Sequence, residues 1–206
     1  MQREKDRRLL VATHNKGKVT EYADLLEDLA LECLTLDDVG ITREAAETGE
    51  TFLENAVMKA SAYSRQTGLY TLADDSGLEV DYLGGLPGVH TARYGGEGLT
   101  ATERYNLLLK NLAGVPWERR TARFHCVIAL AGPNGDLITT ADGICEGLIA
   151  LKPIGEGGFG YDPVFFLPDQ GLTMAQLSPT EKHRISHRGR ALVKIAPSIR
   201  QILGIK

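Results

Sequence analysis

The chain has 206 residues, of which 43% are hydrophobic and 24% charged, and its formal net charge is −4. This composition predicts a folded globular protein with one domain over residues 1–206. The net negative charge argues against a broad nucleic-acid-binding surface, which needs clustered Lys and Arg. No apolar run approaches the roughly 20 residues that span a bilayer, and three cysteines without CxxC spacing indicate reduced thiols. We therefore expect a cytoplasmic protein that binds neither nucleic acid nor a membrane.

The first predicted elements are a strand, a polar loop and a helix. Residues 9–12 are apolar, and apolar residues recur at helical spacing over 19–29. The loop between them consists of Thr13, His14, Asn15, Lys16, Gly17 and Lys18. A Gly-containing loop in this position can aim backbone N–H groups at an anion, although the Walker pattern GxxxxGK[ST] is absent. Phosphate binding and an ordinary turn capped by Asn15 both remain open.

A second strand is predicted at residues 31–36, and an acidic segment follows it. A capping box at 51–54 predicts a helix that ends at Gly68. The acidic segment, residues 44–50, contains Glu47 and precedes this helix. Carboxylates favour helix N-termini, so the segment has a purely structural explanation, and a metal ligand is the alternative.

The stretch 71–96 contains a pair of adjacent carboxylates. An apolar run reaches Asp74 and Asp75, and Ser76 with the following glycine is a turn signal. Adjacent side chains of a strand point to opposite faces, so both carboxylates serve one ligand only if the strand ends there. The Gly-rich loop beyond carries Arg93. Together these groups suggest Mg²⁺ and a phosphate, and a solvated Asp-Asp turn is the alternative.

A helix and a hairpin follow. A capping box at 100–103 starts a helix whose buried face is formed by leucines. Residues 121–131 and 137–151 read as long strands, and the composition of 133–136 predicts a hairpin turn between them. An antiparallel pair among strand–helix units means that the sheet is mixed.

Residues 155–160 match the pattern GxGxxG. A dinucleotide-binding fold places that motif after its first strand and at the start of a helix, and a kinase also needs HRD and DFG motifs, so neither interpretation holds. Residues 161–166 predict a strand after the turn. The turn would present Phe159, Tyr161 and Asp162, and an aromatic ring beside a carboxylate suits a nucleobase. A Gly-rich hairpin with core aromatics is the alternative.

The last part of the chain is basic and helical. Residues 178–181 form a capping box with Pro179 at the first helical position. The run 182–190 is rich in Lys, His and Arg, and it predicts either a solvated helix face or a contact with an anion or a base. The segment 191–203 has helical spacing, but Pro197 should break or kink it.

Seven segments, taken together, resemble the Ham1-like nucleoside triphosphate pyrophosphatases, also called inosine triphosphate pyrophosphatases. The segments are THNKGK (13–18), ETGETFLENA (47–56), ADDSG (73–77), LPG with ARY (86–88 and 92–94), FHC (124–126), GGFGYDP (157–163) and SHRG (186–189). Each is weak alone, but seven in register are highly specific. Two positions depart from the family pattern: His14 stands where a small residue is common, and Pro197 interrupts a helix that should be continuous.

The resemblance implies hydrolysis of a nucleoside triphosphate to the monophosphate and pyrophosphate, with a preference for deaminated purines such as ITP, dITP and XTP. The protein would then be a house-cleaning enzyme of the nucleotide pool. The implied fold is α/β, with a long mixed β-sheet flanked by helices and two lobes around a central cleft. The family resemblance also implies a homodimer.

The resemblance also implies roles for individual residues. Mg²⁺ would be held by Glu47 and Asp75, and the catalytic residues would be Asp75 as general base, Asp74 and Lys18. The implied substrate contacts are Thr13, His14, Asn15, Lys16, Gly17 and Lys18 for the phosphates, Ser76, the turn residues Phe159, Gly160, Tyr161 and Asp162 for the base, and Lys182, His187 and Arg188. Independently, Mg²⁺ with Lys18 and Arg93 would balance the roughly four negative charges of a triphosphate.

Two other classes of protein remain possible from the sequence. One is a nucleotide pyrophosphatase of broader specificity, or a Maf-like enzyme for pyrimidine nucleotides. The other is a module that senses a nucleotide without hydrolysing it. The paired carboxylates argue against pure binding, because they repel a polyphosphate unless a metal ion lies between them.

Overall fold

Seven strands form one mixed sheet in the computed structural model, which describes residues 7–205. The strands are β1 (Arg8–Val11), β2 (Glu32–Thr35), β3 (Tyr70–Val80), β4 (Thr121–Ala131), β5 (Leu137–Ile149), β6 (Phe165–Leu167) and β7 (Leu172–Thr173). Their order across the sheet is β2-β1-β3-β4-β5-β6-β7. Strand β1 pairs in parallel with β2 and β3, whereas β6 pairs antiparallel with β5 and β7. The predicted mixed sheet is therefore confirmed.

Helices occur where the capping signals predict them. The α-helices in the described part of the chain are α1 (Lys16–Leu26), α2 (Phe52–Thr67), α3 (Ala101–Asn111), α4 (Pro179–Ile185) and α5 (His187–Leu203). Thr51, Thr100 and Ser178 each accept a hydrogen bond from the backbone N–H three residues later, and the Glu there bonds back. Helix α2 ends at Gly68, whose φ of 69° is left-handed. No helix among the described residues combines the length and apolarity needed to cross a membrane.

The chain divides into two compact units, and unit 1 contains β1 and β2. It comprises the segment that ends at Asp75, residues Cys126–Gly143 and the segment that begins at Gly189. Its core includes Leu9, Val11, Tyr22, Leu26, Leu72, Ile128, Leu130, Ile195 and Ile199. Val11 pairs with Leu72 in the parallel register of β1 and β3. The polar loop and Asp74 therefore continue from adjacent strand positions.

Unit 2 comprises Ser76–His125 and Ile144–Arg188. Its core includes Leu78, Val80, Leu108, Leu112, Phe124, Cys145, Val164 and Phe165. Arg120 is 3% exposed and donates hydrogen bonds of 2.7–2.9 Å to the carbonyl oxygens of Ile149, Leu112 and Ala150. Burial lowers the pKa of this guanidinium. The predictions of a single domain and of two lobes around a cleft stay predictions.

The prediction that Ser76 begins a turn is wrong. Strand β3 runs without interruption from Tyr70 to Val80, through both carboxylates and Ser76. Leu78 and Val80 are 0% exposed, and the Leu78 N–H donates to Thr91 Oγ1 at 2.8 Å. Burial of these side chains in unit 2 outweighs the turn preference of a Ser-Gly pair, because strand formation depends strongly on packing.

The segment 161–166 corrects a second prediction. Residues Asp162–Val164 form a 3-10 turn, and β6 starts only at Phe165. Pro163 cannot donate a ladder hydrogen bond, which disfavours a strand here. The Asp162 carboxylate also accepts the Phe159 N–H at 2.8 Å and so closes the turn.

The predicted break of the last helix at Pro197 is wrong, and a kink there stays a prediction. Helix α5 is continuous from His187 to Leu203 and contains Pro197. The carbonyl that Pro197 leaves without its helical donor belongs to Val193, whose side chain is 76% exposed. Ile195 and Ile199 on the other face are buried in the unit 1 core. Burial of that face stabilises the helix, while solvent can satisfy the carbonyl.

Candidate active site

The polar loop after β1 forms the start of α1. The Asn15 side chain accepts the Lys18 N–H at 3.1 Å, and the Asn15 N–H donates to Thr13 Oγ1 at 3.2 Å. The predicted asparagine cap is therefore present. Lys16 and Gly17 occupy the first turn, where backbone N–H groups have no acceptor within the helix and can face an anion. The first turn contains no acidic side chain, which also favours an anion.

His14 lies in the same loop and is partly buried. Among residues 7–205 its Nε2 atom is buried without a hydrogen-bond partner. His14 directly precedes Asn15, the N-cap of α1. Its contact with a phosphate stays a prediction.

Asp74 forms an ion pair with Lys18. The Lys18 Nζ lies 2.9 Å from Asp74 Oδ2, and the two side chains are 13% and 0% exposed. The Cys126 thiol donates to the same oxygen at 3.7 Å. The structure thus brings together two of the predicted catalytic residues as a buried ion pair.

Asp75 has a different set of partners. Its Oδ2 accepts a hydrogen bond from Asn55 Nδ2 at 3.0 Å, and its Oδ1 lies 3.8 Å from Lys59 Nζ. The same Lys59 nitrogen lies 2.8 Å from Glu47 Oε1. The two predicted metal ligands, Glu47 and Asp75, therefore meet at one ammonium group. We call the set Lys18, Glu47, Asn55, Lys59, Asp74 and Asp75 the carboxylate–lysine cluster.

The charges of this cluster are coupled. Burial raises the pKa of Asp75 above its ordinary value, although Lys59, Lys18 and the Asn55 hydrogen bond oppose the shift. Burial alone would lower the pKa of Lys59, but the charges of Asp74, Asp75 and Glu47 outweigh it and raise the pKa. Lys59 thus stays an ammonium ion, while Asp75 takes up a proton more readily than an exposed aspartate.

Glu47 and Asp75 are the residues that could hold a divalent cation. Both carboxylates point at one cationic centre, the Lys59 nitrogen, although they come from a loop and from β3. Mg²⁺ is held in proteins by one or two carboxylates together with substrate phosphates and waters. No group of three or more His, Cys, Asp or Glu suited to a metal occurs in the described residues.

A second set of predicted residues gathers around Phe159 in unit 2. Asp162 Oδ2 accepts the Phe159 N–H at 2.8 Å and pairs with Lys182 Nζ at 2.5 Å, and both side chains of this pair are buried. The Lys182 Nζ lies 4.9 Å from the centre of the Phe159 ring, and the Arg188 guanidinium carbon lies 5.7 Å from it. The backbone N–H of Phe159 is thus already used by Asp162.

His187 and Arg188 complete this group. The His187 ring stacks on Phe124 with centroids 4.8 Å apart and planes at 16°. Arg188 is 2% exposed, and its Nη2 donates to Ser76 Oγ at 3.0 Å. We call the set Ser76, Phe124, Phe159, Asp162, Lys182, His187 and Arg188 the aromatic–basic cluster.

Two predicted contacts lie elsewhere in unit 2. Tyr161 is 4% exposed, its hydroxyl donates to the Thr91 carbonyl at 3.1 Å, and burial raises its pKa. Its ring is therefore part of the core. Arg93 is exposed, and its Nε donates to His90 Nδ1 at 3.3 Å. For both residues a contact with a substrate stays a prediction.

Three residues of the clusters have no role in the sequence predictions: Asn55, Lys59 and Phe124. Asn55 and Lys59 are 2% and 8% exposed and lie four residues apart on α2. Their signal in the sequence is a Lys and an Asn among the apolar residues of an amphipathic helix. Phe124 is 6% exposed and gives no comparable signal, because an aromatic residue on a strand usually belongs to a core.

Comparison with known proteins adds the family. The model of the Ham1 family matches residues 9–198. The chain belongs to the Ham1 family. A dITP/XTP pyrophosphatase from Geobacillus kaustophilus is 51% identical over 198 residues, which cover 96% of this chain and 97% of the relative. The dITP/XTP pyrophosphatase of Bacillus subtilis is 46% identical over 187 residues, which cover 91% of this chain and 94% of the relative.

Solved Ham1 structures have the same fold. A HAM1 protein from Coxiella burnetii matches with a TM-score of 0.84 and 40% identity, covering 94% of this chain and 98% of that chain. The Staphylococcus aureus Ham1 protein matches with a TM-score of 0.82 and 36% identity, with the same coverage. These matches confirm the predicted fold class. All residues of both clusters lie within the segment that the Ham1 match spans.

Proposed function

We propose that this protein hydrolyses deaminated purine nucleoside triphosphates, namely ITP, dITP and XTP, to the monophosphate and pyrophosphate. Membership of the Ham1 family supports the proposal, as do two relatives that are named dITP/XTP pyrophosphatases. The observation that carries it is the meeting of Glu47 and Asp75 at the Lys59 ammonium. Paired carboxylates with lysines suit a metal-bound polyphosphate better than an uncharged ligand.

The phosphates are held in this proposal by positive groups of unit 1. A triphosphate carries about four negative charges, which need several counter-charges. The first turn of α1, Lys18 and Lys59 supply positive charge and N–H donors. Asp74 keeps the Lys18 ammonium in place through their ion pair.

Glu47 and Asp75 would hold Mg²⁺, which when bound would neutralise phosphate charge and make a bound water more acidic. Asp75 accepts a proton from the attacking water as the water oxygen bonds to the α-phosphorus. The bond from this phosphorus to the bridging oxygen breaks, and pyrophosphate leaves.

The base is recognised in this proposal by the aromatic–basic cluster. Phe159 stacks on the purine, and Lys182, His187 or Arg188 donates a hydrogen bond to the 6-keto oxygen. Adenine presents a 6-amino donor there, so a donor of the protein would face another donor. Sites of this kind discriminate by about 10⁴–10⁵. Guanine keeps the 6-keto group, and we propose that its 2-amino group is poorly accommodated.

The family resemblance also leads us to propose a homodimer in the cytoplasm. Analytical ultracentrifugation of the purified protein at micromolar concentration tests this assembly. A single species with the mass of one chain would contradict it.

A substrate panel tests the function. The purified protein is incubated with ITP, dITP, XTP, ATP, GTP and UTP, with Mg²⁺ or with excess chelator, and pyrophosphate release is measured. We expect kcat/KM for the deaminated purines to exceed that for ATP and GTP by at least about a hundredfold. Equal cleavage of ATP would indicate a pyrophosphatase of broad specificity, and cleavage of UTP a Maf-like enzyme. Binding without pyrophosphate release would indicate a nucleotide sensor.

A further inference from the structure

Glu47 lies on a segment that has no helix or strand. Residues 43–50, here called the acidic loop, run irregularly between β2 and α2. Glu47 itself is exposed. The loop's position must therefore come from contacts with neighbouring elements rather than from its own backbone hydrogen bonds.

Three buried side chains of α2 contact the acidic loop, and the exposed Glu54 also accepts the Glu50 N–H at 2.7 Å. The Tyr63 hydroxyl accepts the Ala45 N–H at 2.8 Å and donates to the Arg43 carbonyl at 3.4 Å. Lys59 pairs with Glu47. Asn55 accepts the Gly49 N–H at 2.8 Å through Oδ1 and donates to the Gly49 carbonyl at 3.4 Å through Nδ2.

These three residues form a row along the helix. Asn55, Lys59 and Tyr63 are spaced four residues apart, so they lie on one face of α2. They are 2%, 8% and 3% exposed, which is unusual for an Asn and a Lys. The three side chains therefore hold the acidic loop against the helix near both of its ends and at its middle.

Gly49 provides an independent sign of close contact. A Cβ atom added there would lie 2.7 Å from the Cβ of Glu54 and 2.8 Å from Asn55 Oδ1. These distances are shorter than real Cβ contacts, so any larger residue would push the loop away from α2. Its φ lies outside the left-handed region, so packing rather than backbone conformation requires glycine at this position.

We infer that Tyr63 and Asn55 are positioning residues that hold the acidic loop so that Glu47 and Asp75 bind one divalent cation together. The inference rests on the proposed function, in which these two carboxylates hold the metal. Tyr63 fixes the start of the loop. Asn55 fixes its end and also donates to Asp75 Oδ2 at 3.0 Å. One buried amide thus links the loop to β3.

Binding of Mn²⁺ alone to the purified protein, measured from the EPR signal of the free ion, tests the inference. Tyr63→Phe removes only the hydroxyl and should raise the Kd for Mn²⁺ about three- to tenfold, the effect of losing one or two neutral hydrogen bonds. Gly49→Ala should raise it in the same direction, and Asn55→Ala more strongly. In turnover, Tyr63→Phe should raise the half-saturating Mg²⁺ concentration while kcat at saturating Mg²⁺ stays near that of the wild type.

Thr67→Val is the matched control on the same helix. The Thr67 hydroxyl, like that of Tyr63, makes one donated and one accepted hydrogen bond, but its partners are Tyr63 and Leu69 backbone groups away from the loop. This variant should lose comparable thermal stability with no change in Mn²⁺ affinity. Amide exchange of Ala45 should accelerate in Tyr63→Phe and stay unchanged in the control.

Glu47→Gln separates the two possible failures. If it weakens Mn²⁺ binding while Tyr63→Phe and Gly49→Ala bind Mn²⁺ like the wild type, the inference is overturned and the metal assignment stands. If Glu47→Gln leaves Mn²⁺ binding unchanged, the metal assignment falls and the inference falls with it. If Thr67→Val weakens Mn²⁺ binding as much as Tyr63→Phe does, the weaker binding comes from a general loss of stability. That result would also overturn the inference.

Discussion

Asp74→Asn and Asp75→Asn are nearly isosteric changes at neighbouring positions, and we expect them to fail in different ways. Because β3 continues through both residues, their side chains point to opposite faces of the sheet. Asp74 is 0% exposed and pairs with Lys18 at 2.9 Å. Asp75 is 10% exposed, accepts from Asn55 and lies 3.8 Å from the Lys59 ammonium.

Asp74→Asn should mainly reduce stability. It leaves the Lys18 ammonium without its carboxylate, and removing one partner of a buried ion pair costs about 3–5 kcal/mol. Lys18 is 13% exposed, so solvent offsets part of this cost and places it near the lower end. At about 2–4 °C per kcal/mol for a chain of this length, a loss of about 3 kcal/mol lowers Tm by roughly 6–12 °C.

Asp75→Asn should mainly reduce turnover. The amide oxygen still accepts the hydrogen bond from Asn55, and Lys59 keeps its closer partner Glu47 at 2.8 Å. The free energy of unfolding should therefore change little, because burial raises the pKa of Asp75 and a neutral amide is buried at less cost than a carboxylate. The amide cannot accept a proton, and loss of a general base costs about 10²–10⁴-fold in kcat.

Scanning calorimetry gives Tm for both variants, and pyrophosphate release at saturating ITP and Mg²⁺ gives kcat well below either Tm. The expected result is a lowered Tm for Asp74→Asn and a lowered kcat with a near-normal Tm for Asp75→Asn. Wild-type turnover of Asp75→Asn would refute its assignment as the base. An unchanged Tm for Asp74→Asn would refute the argument from the buried ion pair.

Four further outcomes are expected. Excess chelator should abolish pyrophosphate release and added Mg²⁺ should restore it, and full turnover in chelator would remove the metal from the mechanism. Lys18→Ala should raise KM for ITP and lower Tm, since Asp74 loses its ammonium partner, and an unchanged KM would exclude a phosphate contact. Phe159→Ala should lower kcat/KM for ITP, XTP and GTP by a similar factor, about tenfold or more. The factor should be similar because a stacked ring does not distinguish the hydrogen-bonding edges of the bases, and unequal factors would contradict stacking. Arg120→Met removes the donor for three buried carbonyl oxygens, and calorimetry should show a loss of about 3 kcal/mol or more, whereas a wild-type Tm would show that water replaces the guanidinium.

The sequence by itself determined the features that depend on neighbouring residues. Helix α2 starts at the capping box of Thr51 and ends at Gly68, as the sequence predicts, because a cap is satisfied within one turn of the chain. The asparagine cap at Asn15 is local in the same way. The order of seven short motifs was enough for the family, since each motif keeps its identity without knowledge of its contacts.

Only the tertiary structure decided the features that depend on distant residues. Strand β3 continues past Ser76 because Leu78 is packed in a core, and this packing outweighs the turn preference of Ser76 and Gly77. Helix α5 continues through Pro197 because one of its faces is buried, and this burial outweighs the helix-breaking preference of proline. The same is true of the site. Asp75 meets Asn55 from twenty positions away, and Phe124 stacks on His187 across a much longer interval of sequence.

The two adjacent aspartates show most clearly what the sequence alone cannot predict. Their sequence gives both the same chemistry and the same neighbours, so it cannot assign different roles to them. Continuation of β3 turns them to opposite faces, where Asp74 meets Lys18 and Asp75 meets Asn55 and Lys59. The local sequence supplies the carboxylates, but the pairing of strands and helices decides which charge each of them faces.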